Sequence, residues 1–242
     1  MDSTHWLRYF QDNRLNRPEP RWDLPCAEDA GTAAKLARSL SHFQLGESGE
    51  GSFLLAEGRR AHPDDPHYVQ ALGLFVGEEQ EHARLLEHLV ARFGGELISR
   101  HWTHGCFRLL RRALGVQFEI QTLVVAELIG TAYYRLLHHH TRDAVLRRVC
   151  DLMLGDEAQH VEFHRERFAE WQSHWLPLGQ GLWSAQFQVF FVAAAQAAWF
   201  DHRPALTALG ADRRAFFREA RHECAAFLGA LKPAGVPAGS VR

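Results

Sequence analysis

Several features that would place a chain quickly are missing here. The four cysteines, Cys26, Cys106, Cys150 and Cys224, stand far apart with no C-x-x-C among them. That excludes a zinc ribbon and a disulfide framework, and makes a reducing cytoplasm the default compartment. No apolar run approaches the roughly 20 residues of a membrane span. The most apolar stretch, Phe187 to Phe200, is broken by Gln188 and Gln196 and reads as a buried helix. A surplus of one charge is missing too: 27 Lys and Arg stand against 29 Asp and Glu. No long basic footprint for nucleic acid follows, and the arginine clusters (Arg108, Arg111, Arg112; Arg147, Arg148) read as solvated helix faces. The first residues, MDSTHWLRYF, lack the apolar region of a secretory signal. Flavin and nicotinamide fingerprints are absent, and so is the strict alternation of a half-buried strand.

What remains is an ordinary globular balance, 46% hydrophobic and 23% charged residues in 242, enough for one large domain or a domain with an appendage. Residues 1–25 read as an irregular arm. A helical pattern then runs from about Glu28 to Ala61 and ends at His62-Pro63-Asp64-Asp65-Pro66, where an Asp cap and a proline in the first turn start the next helix. That second helix runs to Phe93 and stops at Gly94-Gly95. A third spans about His104 to His139 with a bend near Gly115, and a fourth about Thr141 to Trp175. A fifth covers Leu182 to Phe200 and a sixth Ala211 to Leu231; the tail 232–242 reads as disordered. The expectation is an all-α fold, with a four-helix bundle over 26–176 and two further helices over 177–231, packed on the bundle or on a partner.

The chemistry sits on the apolar stripes. On the second helix, Glu79 and His82 interrupt Leu72, Phe75, Leu86 and Leu89, while Glu78, Glu81, Arg84 and Glu87 spread around the rest. On the fourth, Glu157 and His160 interrupt Leu146, Cys150, Met153 and Phe168, with His164 a turn further on. Each E-x-x-H projects both side chains in one direction. The third helix carries Glu127 on a stripe with Ile120, Leu123, Val124 and Tyr134. The first carries Glu47, or Glu50 one turn on, with Leu36, Leu40, Phe43 and Leu54. Buried carboxylates are costly unless paired or bound to metal, and no Lys or Arg interrupts these stripes nearby. Two divalent cations would balance four glutamates.

E-x-x-H alone is weak: with 18 Glu and 16 His, chance supplies about one copy. A third copy, Glu219-x-x-His222, is the decoy. The other two each have an upstream glutamate, Glu47 lying 32 residues before Glu79 and Glu127 lying 30 before Glu157, which marks a duplicated helix pair. Glycines crowd the same places (Gly46, Gly49, Gly51, Gly77, Gly130, Gly155), where backbones approach closely or a site needs empty volume. Asp156 and Asp151 stand as hydrogen-bond partners for the histidines. Tyr133 and Tyr134 follow Glu127 and read first as core, and His138, His139 and His140 as a helix cap.

At these residues, most closely at GEEQEH and GDEAQH, the chain resembles the ferritin-like di-iron carboxylate superfamily, over roughly Glu28 to Trp175. The resemblance implies that Glu47, Glu79, His82, Glu127, Glu157 and His160 are both the metal ligands and the catalytic residues, with Glu50 and His164 as further candidates. It implies a pair of iron ions, with manganese or a mixed pair as alternatives, and bridging by Glu79 and by Glu127 or Glu157. Superfamily members use dioxygen on organic substrates, oxidise iron, or handle peroxide with manganese. The two aromatic-rich C-terminal helices argue against cage assembly, and the cysteine module of rubrerythrin-like peroxidases is absent. The expectation is therefore an oxygen-activating hydroxylase or oxidase for a small apolar substrate. It would be served by an external electron donor and would form a homodimer, without nucleic acid or membrane. An iron-oxidising protein, a manganese-catalase-like protein and a helical interaction module are the alternatives.

Overall fold

A computed structural model describes residues 2–49, 51–101 and 116–231. It is all-helical, and no strand occurs among the described residues. The helices are α1 Ser3–Leu15, α2 Ala30–Glu47, α3 Ser52–Ala61, α4 Pro66–Arg92, α5 Val116–His140, α6 Ala144–Gln172, α7 Pro177–Ala208 and α8 Arg213–Leu231. Glu50, the bend expected at Gly115 and the tail 232–242 fall outside the described residues.

The first correction is at the N-terminus. The segment read as an irregular arm contains α1, capped by the Asp2 side chain, which accepts from the His5 N–H. Its period is helical after all: Trp6 and Phe10 lie four apart and both are fully buried. Phe10 sets its ring edge-on to Phe163, 5.3 Å between centroids, and Trp6 Nε1 donates to Glu166 at 3.0 Å. Helix α1 thus lies along α4 and shields the end of the core that holds His160.

The second correction is that the first long helix is two. Asp29 caps α2 through the Gly31 and Thr32 N–H groups, but the helix stops at Glu47. Gly51 then adopts a φ of +59° and opens α3. A Cβ there would meet Val76 Cγ2 at 2.5 Å, so both conformation and space demand glycine. Helix α4 begins as expected, with Asp65 accepting from the Tyr68 N–H and proline in the first turn.

Two pairs, α2 on α4 and α5 on α6, form the main packing. They are tied together at the start of α6. Asp143 caps that helix and is wholly buried, and Arg92 at the end of α4 donates to it at 2.7 Å. Helix α7 is longer than the apolar stretch suggested, beginning at Pro177 and running through Pro204 to Ala208. It lies on α2, α5 and α8, burying Phe187, Phe191, Ala194, Ala195, His202 and Leu206. Phe187 stacks on Phe227 of α8, 5.3 Å between centroids. Its other face leaves Val189, Val192 and Phe200 exposed. No helix among the described residues is long and apolar enough to cross a membrane.

Candidate metal centre

Glu47 from α2, Glu79 and His82 from α4, and Glu157 and His160 from α6 converge on one point. Ligand atoms of Glu79, His82 and His160 lie within 4.8 Å of one another, and so do those of Glu47, His82 and Glu157. Glu79 Oε1 lies 3.0 Å from His160 Nδ1 and 3.8 Å from His82 Nδ1. Glu157 spans the same two rings, 3.7 Å to His82 Nδ1 and 3.8 Å to His160 Nδ1. These two glutamates therefore stand near both histidines. Glu127 from α5 stands further back. It joins neither of those groups, but lines the same cavity, with Oε1 3.4 Å from His164 Nε2.

Each imidazole is held from behind by a crossed hydrogen bond. His82 Nε2 lies 3.0 Å from Asp156 Oδ2, and His160 Nε2 lies 2.9 Å from Glu78 Oε2. Both bonds cross from α4 to α6, and both acceptors are the residue just before the ligand glutamate. With Nε2 protonated and bonded, each ring turns a bare Nδ1 inward, the tautomer a metal needs. Asn13 of α1 bridges the two acceptors, donating to Glu78 at 2.7 Å and to Asp156 at 2.8 Å. Arg17 donates to Asp156 as well.

Sequence reasoning placed Asp156 correctly but spread Glu78 onto the outer face; Glu78 is buried. Its signal was available, because both motifs carry an acid immediately before the ligand glutamate. Asn13 and Arg17 had no such signal, lying in and just after the helix read as an arm. Asp151 pairs with His138 at 3.0 Å, so it is not a partner of the cluster. The decoy stays apart: Glu219 pairs with Arg135 at 3.2 Å and His222 is exposed.

The charges show strain that a cation would relieve. Burial and the neighbouring charge of Glu79 raise the Glu47 carboxyl well above its usual range. Burial also lifts Glu157 to about 7, with Glu79 adding to the rise and His160 opposing it. Burial would raise Glu79 too, but the close approach and charge of His160 bring it down to about 2. The two histidines are raised despite burial, His82 chiefly by Asp156 and His160 by Glu157, Glu78 and Glu79.

The buried atoms without a hydrogen-bond partner point the same way. Among them are Glu79 Oε1, both oxygens of Glu127, Glu157 Oε2, and Nδ1 of His82 and His160. An unmet buried polar atom costs about 1–3 kcal/mol, and these are the atoms a metal would take. Oxygen donors with two imidazoles suit iron or manganese, so the residues present fit a paired-metal centre. Nearby, Tyr133 bonds to Ser39 at 2.6 Å. The Tyr134 hydroxyl is buried without a partner and raised by burial and by Glu47 and Glu157.

One side of the cluster opens into a cavity of about 170 Å³. Glu47, Glu79, Glu127 and Glu157 line it, facing an apolar wall that includes Phe43, Leu123, Ile129 and Ala194. Gly46 borders it, and a Cβ there would meet nothing within 4 Å. Compared with protein-family models, curated proteins and solved structures, the chain matches none.

Proposed function

We propose that this chain is a ferritin-like di-metal carboxylate protein. It would hold two iron ions, or manganese in their place, and use dioxygen to hydroxylate or oxidise a small apolar molecule. The observation that carries the reading is the crossed pair of histidines. Each has its outer nitrogen bonded to a carboxylate and its inner nitrogen bare among buried, unpartnered carboxylate oxygens. In this reading α7 and α8 are additions to the bundle, and α7 supplies part of the substrate wall.

The roles follow from position. His82 and His160 would each give Nδ1 to one metal, with Asp156 and Glu78 holding the rings in register. Glu79 and Glu157, which lie near both rings, would hold the pair together with Glu47 and Glu127. His164 supports Glu127. A pair of iron ions, when bound, supplies the reducing equivalents for dioxygen. No redox cofactor motif occurs in the sequence, so an external electron donor would restore them. Phe43, Leu123 and Ile129 keep water from the open side and favour an apolar guest.

Anaerobic loading with ferrous iron followed by an oxygen pulse tests this. A hydroxylase or oxidase oxidises about two irons per chain and proceeds only when reductant is added. Continued oxidation with tens of irons retained per chain would establish an iron-storing function instead. Oxygen release from peroxide by manganese-loaded protein would establish a catalase function.

A further inference from the structure

The cavity over the carboxylates has an outer end built from different residues. His42 on α2 and Asp201 on α7 line it together with the inner glutamates. The same two side chains, with His101, line a second pocket that also includes Lys35, Arg38 and Arg203. The trio therefore stands where the two spaces meet. One ligand atom from each of His42, His101 and Asp201 lies within 4.8 Å of the others.

The rings of His42 and His101 are 4.0 Å apart between centroids, tilted by 30°. His101 Nδ1 lies 3.8 Å from Asp201 Oδ2, beyond hydrogen-bonding reach. The His42 Nδ1 is buried and has no hydrogen-bond partner. Burial, His101 and Arg38 hold His42 down at about 4, so its ring is neutral at pH 7 with a lone pair to give.

We propose that His42, His101 and Asp201 form a separate, mononuclear site for a first-row divalent cation at the outer mouth of the cavity. Two imidazoles and one carboxylate are the donors of a zinc-type site with one position left open. The cation would carry net positive charge after Asp201 is counted, and an anion or water would complete its shell. Lys35, Arg38 and Arg203 in the adjoining pocket suit an anionic fourth ligand. None of the three protein ligands belongs to the paired centre, so the proposal stands whether or not that centre holds metal.

Cobalt(II) titration of the full chain tests it, reading stoichiometry by equilibrium dialysis and geometry by visible absorption. Wild type should bind one more ion per chain than His42→Ala, His101→Ala or Asp201→Asn, and that ion should carry the intense visible bands of tetrahedral cobalt. Each substitution should weaken it by about tenfold or more, with the helical circular dichroism unchanged. His101 lies outside any helix, so its variant serves if the α2 or α7 substitution misfolds. If the paired centre fails to bind, wild type still takes one ion and the three variants take none. Equal stoichiometry and equal bands in wild type and all folded variants would overturn the proposal.

Discussion

The two halves of the duplicated helix pair carry the same motif but differ in how firmly they are built. In the second half, α5 and α6 are continuous through Glu127, Glu157 and His160, and the cap residue Asp143 is fully buried against Arg92. In the first half, α2 ends at Glu47, the chain breaks at Gly51, and the cap residue Asp65 is only half-buried, bonded to Ser3. The difference teaches that one motif can sit on two differently built helix pairs, and that the broken helix brings Glu47 into the cluster while the continuous one leaves Glu127 outside it, both halves lining the cavity. Glu47 borders the cavity at the end of a helix, where a carboxylate can shift without disturbing a packed turn.

The largest effect should come from the tie between the halves. Arg92→Ala leaves the Asp143 carboxylate buried without its partner and should cost about 3–5 kcal/mol in chemical denaturation. Asp65→Ala, at the weaker cap, should cost only about 1 kcal/mol. The Asp143 carboxyl is held below its usual range, against the raising effect of burial, by Arg92 and by N–H groups of the cap. Its contribution is therefore complete above the unfolded value, about 3.9, and fades as pH falls through the lower folded one. Wild type and Arg92→Ala should converge on acidification; equal costs for the two caps would remove the contrast.

Next comes metal retention. Glu157 stands near both histidines, so Glu157→Ala should lose both inner ions, whereas Glu47→Ala should lose one and keep the other. Elemental analysis after gel filtration reads this directly. Complete loss in both variants would mean that the halves are not distinguished by their ligands.

A pH effect follows from the same carboxyls. Glu157 sits at about 7 and Glu47 is raised, so both hold protons in the acid range and must release them to bind a cation. The raised histidines must do the same. Affinity should fall by about tenfold for each pH unit below 7 per proton displaced. Calorimetry in buffers of different ionisation enthalpy would show the release; metal binding without proton release contradicts it.

The smallest effect is the decoy's. Glu219→Ala removes a partly exposed ion pair with Arg135, so stability should move by less than about 1 kcal/mol and inner metal content not at all. Metal loss there would mean that the motif, rather than its upstream partner, defines a ligand.

Much of this was legible in the residues. The E-x-x-H stripes, the spacing of the upstream glutamates and the Asp cap before Pro66 follow from helical periodicity and local hydrogen bonding. What was not legible depends on tertiary contact. The α1 helix is short and its apolar residues few, so only packing of Trp6 and Phe10 reveals it. Glu78 belongs on the solvent side by period alone, with only the acid shared by the two motifs to mark it, and is buried because α1 covers that flank. The break at Gly51 reflects the approach of Val76 from α4, which no local pattern reports. Phe187 and Phe191 pack inward, and Val189, Val192 and Phe200 form an exposed apolar edge.

The central claim is the paired metal centre, and crystals grown from iron-loaded protein test it most directly. Anomalous scattering at the iron edge should give two peaks about 3.5–4 Å apart, beside the Nδ1 atoms of His82 and His160 and within reach of Glu79 and Glu157. Folded, iron-treated protein with no anomalous peak among these side chains would contradict the account.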